Sequence, residues 1–234
     1  MTGSTQARHT LVRAIAAEAL GSLMLFATVI GSGIMAETLA GGNQAVALLG
    51  NTLSTGAMLY VLVTLFAPVS GAHFNPAVTL VFRALRVIGT RAALWHVAAQ
   101  LAGGIAGVWV AHLMFGQDLL QVSTRVRAGG GQWAGEFVAT FGLVLTILGT
   151  LRHRPAAVPA TVALYTSGAY WFTSSTSFAN PAITIARAFS NTFAGIAPRY
   201  VPGFIAAQLA GAMAAVLAAR LLFPPSDPNE EFAS

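Results

Sequence analysis

The sequence predicts an all-α membrane protein that has six transmembrane helices and two re-entrant half-helices, arranged as an inverted repeat. Three observations predict this fold: low charge, six long apolar stretches and a motif that occurs twice. Of the 234 residues, 56% are hydrophobic and 8% are charged, whereas a soluble domain typically has ~25% charged residues. This composition excludes a soluble globular fold.

Six stretches are long and apolar enough to be membrane spans, since ~20 residues of helix cross a hydrocarbon core of ~30 Å. The first contains Glu18 and is too long for the core of a signal peptide, so we interpret it as a span. An even number of spans places both termini on one side. Eight of the twelve arginines fall on that side, which predicts cytoplasmic termini. The spans cover about 11–35, 45–67, 91–115, 132–151, 158–176 and 201–223.

Several other protein classes are not expected. The chain has no cysteine and its histidines show no metal-ligand spacing, so we expect no disulfide, no metal site and no cofactor. No nucleophile triad or phosphate-binding loop occurs, so the sequence does not predict an enzyme. The arginines are scattered and do not form the clustered basic face of a nucleic-acid-binding protein. Residues 224–234 contain prolines and acids without an apolar period, which predicts a disordered cytoplasmic tail.

Three sequence features recur in the same order in the two halves of the chain. Because each half contains three spans, the second half must enter the membrane from the opposite face, which makes the repeat inverted. We therefore predict one domain over 1–223, built from repeats at about 11–115 and 132–223. The recurring features are Glu18 with Ser22 and Glu136 with Thr140; Asn75-Pro76-Ala77 and Asn180-Pro181-Ala182; and AAQLAG at 98–103 and 206–211.

Each Asn-Pro-Ala motif predicts the start of a short helix, because asparagine is a good N-cap and proline is favoured at the first helical position. Helices from Pro76 to Leu85 and from Pro181 to Phe189 would be ~15 Å and ~13.5 Å long, about half of the hydrocarbon core. Two half-helices that enter from opposite faces meet N-terminus to N-terminus at the midplane. Their non-helical approach loops are tolerable only where they line a wet cavity, so we predict a water-filled path.

The chemistry of the meeting point follows from the residue types. If each asparagine oxygen caps its own half-helix, the amide NH₂ groups of Asn75 and Asn180 remain as donors toward the path. The two helix N-termini each add roughly +0.5 elementary charge at the same depth, which repels cations and hydronium ions. Such a path passes neutral solutes and refuses protons.

The segments SGAHFNPAVTL and FANPAITIARAF, the paired glutamates and the paired AAQLAG segments resemble the aquaporin (major intrinsic protein) family. The resemblance covers residues 10–223. It implies a homotetramer in membrane lipid with one pore per subunit, the Asn75 loop on the cytoplasmic side and the Asn180 loop on the outer side. The chain has no lysine and is rich in alanine and glycine, which favours a bacterial inner membrane.

The resemblance also implies a selectivity filter near the outer mouth, formed by four positions. Carried over by their spacing from the motifs, with no gap assumed between 168 and 180, these positions are Thr55, Gly168, Ser177 and Ile183. Family water channels have an aromatic residue, a histidine, a small residue and an arginine there. In this chain Ile183 stands where the arginine would be. We expect Arg187 not to replace it but to meet the C-terminal carbonyls of its half-helix or the lipid interface.

Small residues at these positions predict a pore wider than a water-only filter. We expect a passive channel for glycerol-like polyols, urea, arsenous or boric acid, and water, and we expect it to exclude ions. The alternative within the family is a water-selective aquaporin. A shift of one residue in the spacing would bring in the neighbourhood of Tyr170 or Trp171 and would narrow the pore.

Two intramembrane acids and one histidine complete the candidate site. We expect Glu18 and Glu136 to accept hydrogen bonds from backbone N–H groups of the re-entrant loops, as the resemblance also implies. Carboxylates at this depth also fit another class of protein, a proton-coupled secondary transporter. His73 either lines the inner vestibule or serves as a hydrogen-bonded structural residue of its loop.

Overall fold

The computed structural model describes residues 2–223, with side chains from Thr10 onward, and within these residues it consists of helices joined by loops. The predicted tail at 224–234 lies outside the described residues. Two single 3₁₀ turns, Pro155–Ala157 and Pro198–Tyr200, precede the sixth and eighth helices. The helices are α1 (Thr2–Leu39), α2 (Gln44–Ser70), α3 (Pro76–Ala84), α4 (Thr90–Met114), α5 (Gly130–His153), α6 (Val158–Phe172), α7 (Pro181–Arg187) and α8 (Val201–Leu222).

Six of these helices correspond to the six predicted spans, and α3 and α7 are the half-helices. Five of the six are long and apolar enough by themselves to cross a membrane. The exception is α6, which ends at Phe172, whereas the sequence predicted a span that continues to residue 176. The next four residues, Thr-Ser-Ser-Thr, favour turns because their hydroxyl groups compete for backbone hydrogen bonds. The chain therefore leaves the helix early and starts its re-entrant loop.

The ends of α2 show how local sequence directs the chain into the first re-entrant loop. Asn43 caps the helix, its side chain accepting from the backbone N–H groups of Ala45 and Val46. At the other end Gly71 adopts a φ of 88° and its N–H donates to the carbonyl of Ala67. Glycine takes this left-handed conformation without strain, so the helix stops there and the loop toward Asn75 begins.

The helices of each repeat pack on one another in the same pattern. In the first repeat α1 packs against α2 and α4, and in the second α5 packs against α6 and α8, while α2 and α6 join the two halves. Outward-facing positions along the helices are apolar and exposed, as expected for a surface in contact with lipid. Examples are Leu53, Leu94, Leu164 and Leu217.

Glycines in the repeated AAQLAG segments bring helix backbones into contact. A Cβ atom at Gly103 of α4 would lie 2.1 Å from the carbonyl oxygen of Ala19, and one at Gly211 of α8 would lie 2.3 Å from that of Phe137. The two contacts occupy the same position in the two repeats. Close backbone approach through small residues is how helices associate in lipid, where the hydrophobic effect between them is weak.

We expect the substitution Gly103→Ala to destabilise the folded protein by about 1–3 kcal/mol, because α1 and α4 would have to separate. The measurement is the midpoint of thermal unfolding of the detergent-solubilised protein. Gly168→Ala is the matched control, since this helical glycine has nothing within 4 Å of an added Cβ. Equal midpoints for the two variants would contradict the prediction.

Candidate functional site

Both Asn-Pro-Ala motifs start their half-helices as the sequence predicted. The Oδ1 atom of Asn75 accepts from the backbone N–H of Ala77 at 2.9 Å, and that of Asn180 accepts from Ala182 at 2.9 Å. Pro76 and Pro181 are the first helical residues, where a missing N–H costs nothing. The helices end at Ala84 and Arg187, slightly before the predicted ends.

The two asparagines also tie the two repeats together. The Nδ2 group of Asn75 donates to the carbonyl oxygen of Ala179 at 2.7 Å, and that of Asn180 donates to the carbonyl oxygen of Phe74 at 2.8 Å. Each amide therefore uses one N–H on the opposite loop and keeps one for the cavity. The sequence predicted both N–H groups of each amide to be free. It could not show the crossed bond, because that bond joins residues about a hundred positions apart.

Backbone strain marks the two re-entrant loops, and sequence reasoning missed it. The residues one and three positions before each motif asparagine adopt positive φ angles although they are not glycine. Such conformations cost of order 1–3 kcal/mol each and persist only where the surroundings enforce them. The positions are equivalent in the two repeats: Ala72 (φ 50°) and Phe74 (φ 47°) in the first, Ser177 (φ 49°) and Ala179 (φ 47°) in the second.

Glu18 holds the first loop in this conformation. Its carboxylate accepts from the backbone N–H of His73 at 2.9 Å and from that of Phe74 at 2.7 Å. It also accepts from the hydroxyl of Ser70 at 2.6 Å and from the side chain of Gln100 at 2.7 Å. A fully buried charge is tolerated when several donors satisfy it, as they do here.

Glu136 does the same for the second loop. It accepts from the backbone N–H of Phe178 at 2.8 Å, from that of Ala179 at 2.9 Å and from the side chain of Gln208 at 2.6 Å. The same Gln208 side chain reaches the hydroxyl of Thr184 on α7 at 2.8 Å. The loop contacts predicted for both glutamates are therefore present, and they follow the repeat.

A cavity of about 430 Å³ runs along the two motifs. The structure brings three of the four predicted filter residues to its wall, together with both motif asparagines and His73. The Nδ1 atom of His73 also lies 3.1 Å from the hydroxyl of Thr79, so this side chain lines the cavity and is hydrogen-bonded. The predicted residues on the wall are Thr55, His73, Asn75, Ser177, Asn180 and Ile183.

The fourth predicted filter residue, Gly168, is not on the wall. It is exposed, and the residues of α6 that line the cavity include Val162, Thr166 and Tyr170, spaced by four. At 100° per residue, position 168 points about 200° away from position 166. Tyr170 lies on the cavity wall and Gly168 does not. The hydroxyl of Tyr170 is 3.4 Å from the hydroxyl of Thr55. The sequence of α6 is apolar on most of its faces, so it does not mark the side that meets the cavity, and the ungapped spacing from Asn180 selected a position on the other side.

Arg187 also departs from its predicted surroundings. It does bond a carbonyl beyond the end of α7, since its Nε donates to the oxygen of Ala194. However, its side chain is 1% exposed and lines the cavity, so it does not reach the lipid interface. It shares the inner face of α7 with Ile183 because residues four apart on a helix point the same way.

Two capped half-helices that meet head to head beside a cavity, inside a bundle of membrane-spanning helices, define a membrane channel. The family comparison agrees, because the model of the major intrinsic protein family matches residues 5–170. The chain belongs to this family, whose members are channels for water and small solutes.

Individual relatives cover most of the chain. It is 53% identical over 218 residues to the aquaglyceroporin AqpS of Rhizobium meliloti (strain 1021), with 93% of both chains covered. It is 32% identical over 173 residues to the aquaporin PIP2-1 of Arabidopsis thaliana, which covers 66% of this chain and 58% of that one. The crystal structure of the aquaglyceroporin from Plasmodium falciparum superposes with a TM-score of 0.70 at 18% identity, covering 92% of this chain and 98% of that one. This superposition confirms the predicted fold class.

Proposed function

We propose that this protein is a passive channel for small uncharged solutes: glycerol-like polyols, urea, arsenous or boric acid, and water. The observation that carries the proposal is the crossed pair Asn75 and Asn180 at the cavity wall, where each keeps one N–H donor beside a helix N-terminus. Donors at this point bind a neutral oxygen, while the two helix dipoles repel cations. The similarity to a protein named aquaglyceroporin supports solutes larger than water.

The proposal extends to assembly and location. Residues 1–223 form one channel domain made of the repeats at about 11–115 and 132–223. Four copies assemble in the lipid of a bacterial inner membrane, each with its own pore and with both termini in the cytoplasm. Support comes from the apolar exposed surface of the helices, the arginine bias and the bacterial relative.

A proton-coupled transporter is disfavoured by the positions of the two buried acids. Glu18 and Glu136 are 0% exposed, and neither lies on the cavity wall. Their oxygens are occupied by loop N–H groups and by glutamine side chains. A carboxylate that carries protons must meet the transport path. These two hold the loops instead.

We expect proteoliposomes that contain the protein to recover volume in glycerol and in arsenous acid faster than empty liposomes, as followed by stopped-flow light scattering. Because a channel has no coupled proton, the flux should rise linearly with concentration and should not depend on a pH gradient. Saturable flux driven by the gradient would identify a transporter. Osmotic water flux without solute flux would identify a water-selective aquaporin.

A further inference from the structure

Two arginines lie against one aromatic ring, that of Phe178 in the second re-entrant loop. The guanidinium carbon of Arg187 lies 3.6 Å from the ring centroid, and that of Arg127 lies 4.8 Å from it. Arg127, in the loop between α4 and α5, also donates to the carbonyl oxygens of Gly195 at 2.9 Å and Ser175 at 3.2 Å. Cation–π contacts and hydrogen bonds thus hold both guanidinium groups in place.

Within the described part of the chain, Arg187 is a buried cation without an ion pair. Among the side chains that the structure describes, the ion pair present is Arg125 with Glu37. Within the same part of the chain, the hydrogen-bond acceptor of Arg187 is the carbonyl oxygen of Ala194, which meets Nε. A guanidinium has five N–H donors. The donors of its terminal nitrogens are left for the contents of the cavity that the side chain lines.

The net charge around the Phe178 ring is positive. Glu136 lies within electrostatic range of both Arg127 and Arg187, but it is one carboxylate beside two guanidinium groups. Burial, followed by repulsion from Arg187, lowers the pKa of Arg127 to about 9. Since this value lies above neutral pH, Arg127 remains protonated there. A cation that enters the cavity at this level meets uncompensated positive charge in a region of low dielectric constant.

Tyr170 supplies an aromatic wall to the same cavity. It is buried, it lines the cavity from α6, and its hydroxyl contacts that of Thr55 on α2. It also lies within electrostatic range of Arg187. An aromatic ring with a hydroxyl and a guanidinium with free donors present one apolar surface and several polar groups. This combination suits a polyol, which has carbon on one side and hydroxyl groups on the other.

We infer that Arg187 and Tyr170 carry the selectivity of this pore. Sequence spacing assigns these two roles to Ile183 and Gly168, of which Ile183 lines the same cavity beside Arg187 and Gly168 does not. The inference rests on the proposed channel function. Arg187 excludes cations and donates to solute oxygens, and Tyr170 limits the width. The pore is therefore narrower and more positive than the small residues at the spaced positions indicate.

The experiment compares wild-type protein with Arg187→Met and Arg187→Lys in proteoliposomes, measuring potassium leak, glycerol flux and water flux. Methionine keeps an unbranched side chain but removes the charge, so we expect potassium leak to rise by about tenfold or more. Lysine keeps the charge, so the leak should stay near the wild-type value. The ratio of glycerol to water flux should fall in R187K, because an ammonium lacks the planar fork of donors.

A second pair of variants tests the aromatic wall without altering a buried charge. Tyr170→Ala should admit larger polyols such as erythritol, whereas Gly168→Leu should leave all fluxes unchanged, because that position faces away from the cavity. The opposite pattern would overturn the inference. If R187M does not fold, the fluxes of R187K, Y170A and G168L still test whether Arg187 and Tyr170 carry the selectivity of the pore.

The two proposals fail in different ways. Wild-type liposomes without solute flux would contradict the channel function itself. Conducting wild-type protein whose ion exclusion and solute ratio are unchanged in R187M, R187K and Y170A would overturn only the roles of Arg187 and Tyr170.

Discussion

Glycerol and arsenous acid flux should fall to the background of empty liposomes when Ile183 is replaced by arginine. Ile183 is 5% exposed, lies on the cavity wall and shares a helix face with Arg187. A second guanidinium one turn away would occupy the path and would be repelled by the first, which forces it toward the solute. Water flux should fall less, since water is smaller. Stopped-flow light scattering of matched proteoliposomes measures all three.

Ile183→Leu is the control, because it keeps apolar character and volume at the same position. Its glycerol flux should stay within about twofold of the wild-type value, since an isosteric change of this kind repacks with little strain. If I183R still conducts glycerol at the wild-type rate, the side chain at 183 does not face the narrow part of the pore. The cavity wall assigned to α7 would then be wrong.

Replacing Glu136 with glutamine should reduce the free energy of unfolding by about 1–3 kcal/mol for each buried donor that is left without an acceptor. The carboxylate accepts three hydrogen bonds, two of them from backbone N–H groups of the strained loop. A glutamine side chain has one oxygen, and its NH₂ group would face a backbone donor. We expect a lower midpoint of thermal unfolding in detergent and a lower yield of folded protein, and both are measured.

Glu37→Gln is the matched control for this prediction. Glu37 pairs with Arg125 at 3.4 Å, but the two side chains are 46% and 41% exposed. An exposed pair contributes only ~0–1 kcal/mol, so E37Q should lower the midpoint little. Equal effects of E136Q and E37Q would show that the second re-entrant loop keeps its shape without Glu136.

The half-helix starts and their supports could be read from the sequence. Asparagine before proline determines a helix start by local chemistry alone, so Pro76 and Pro181 begin their helices where predicted. The loop contacts of Glu18 and Glu136 were also predictable, since an acid at this depth needs donors and each occurs at an equivalent place in its repeat. The strain at Phe74 and Ala179 was not, because nothing in a non-glycine residue indicates a positive φ.

By itself, the sequence determined the spans, the inverted repeat, the two capped half-helices and the two glutamates that hold their loops. These features depend on composition, periodicity and local capping, which act over a few residues. Only the tertiary structure decided which side chains face the path: Tyr170 rather than Gly168, and Arg187 in addition to Ile183. The physical reason is that each residue turns a helix by 100°. The face of α6 that meets the cavity therefore depends on the residue at which α6 ends and on the path of the second re-entrant loop. Packing between distant parts of the chain determines both.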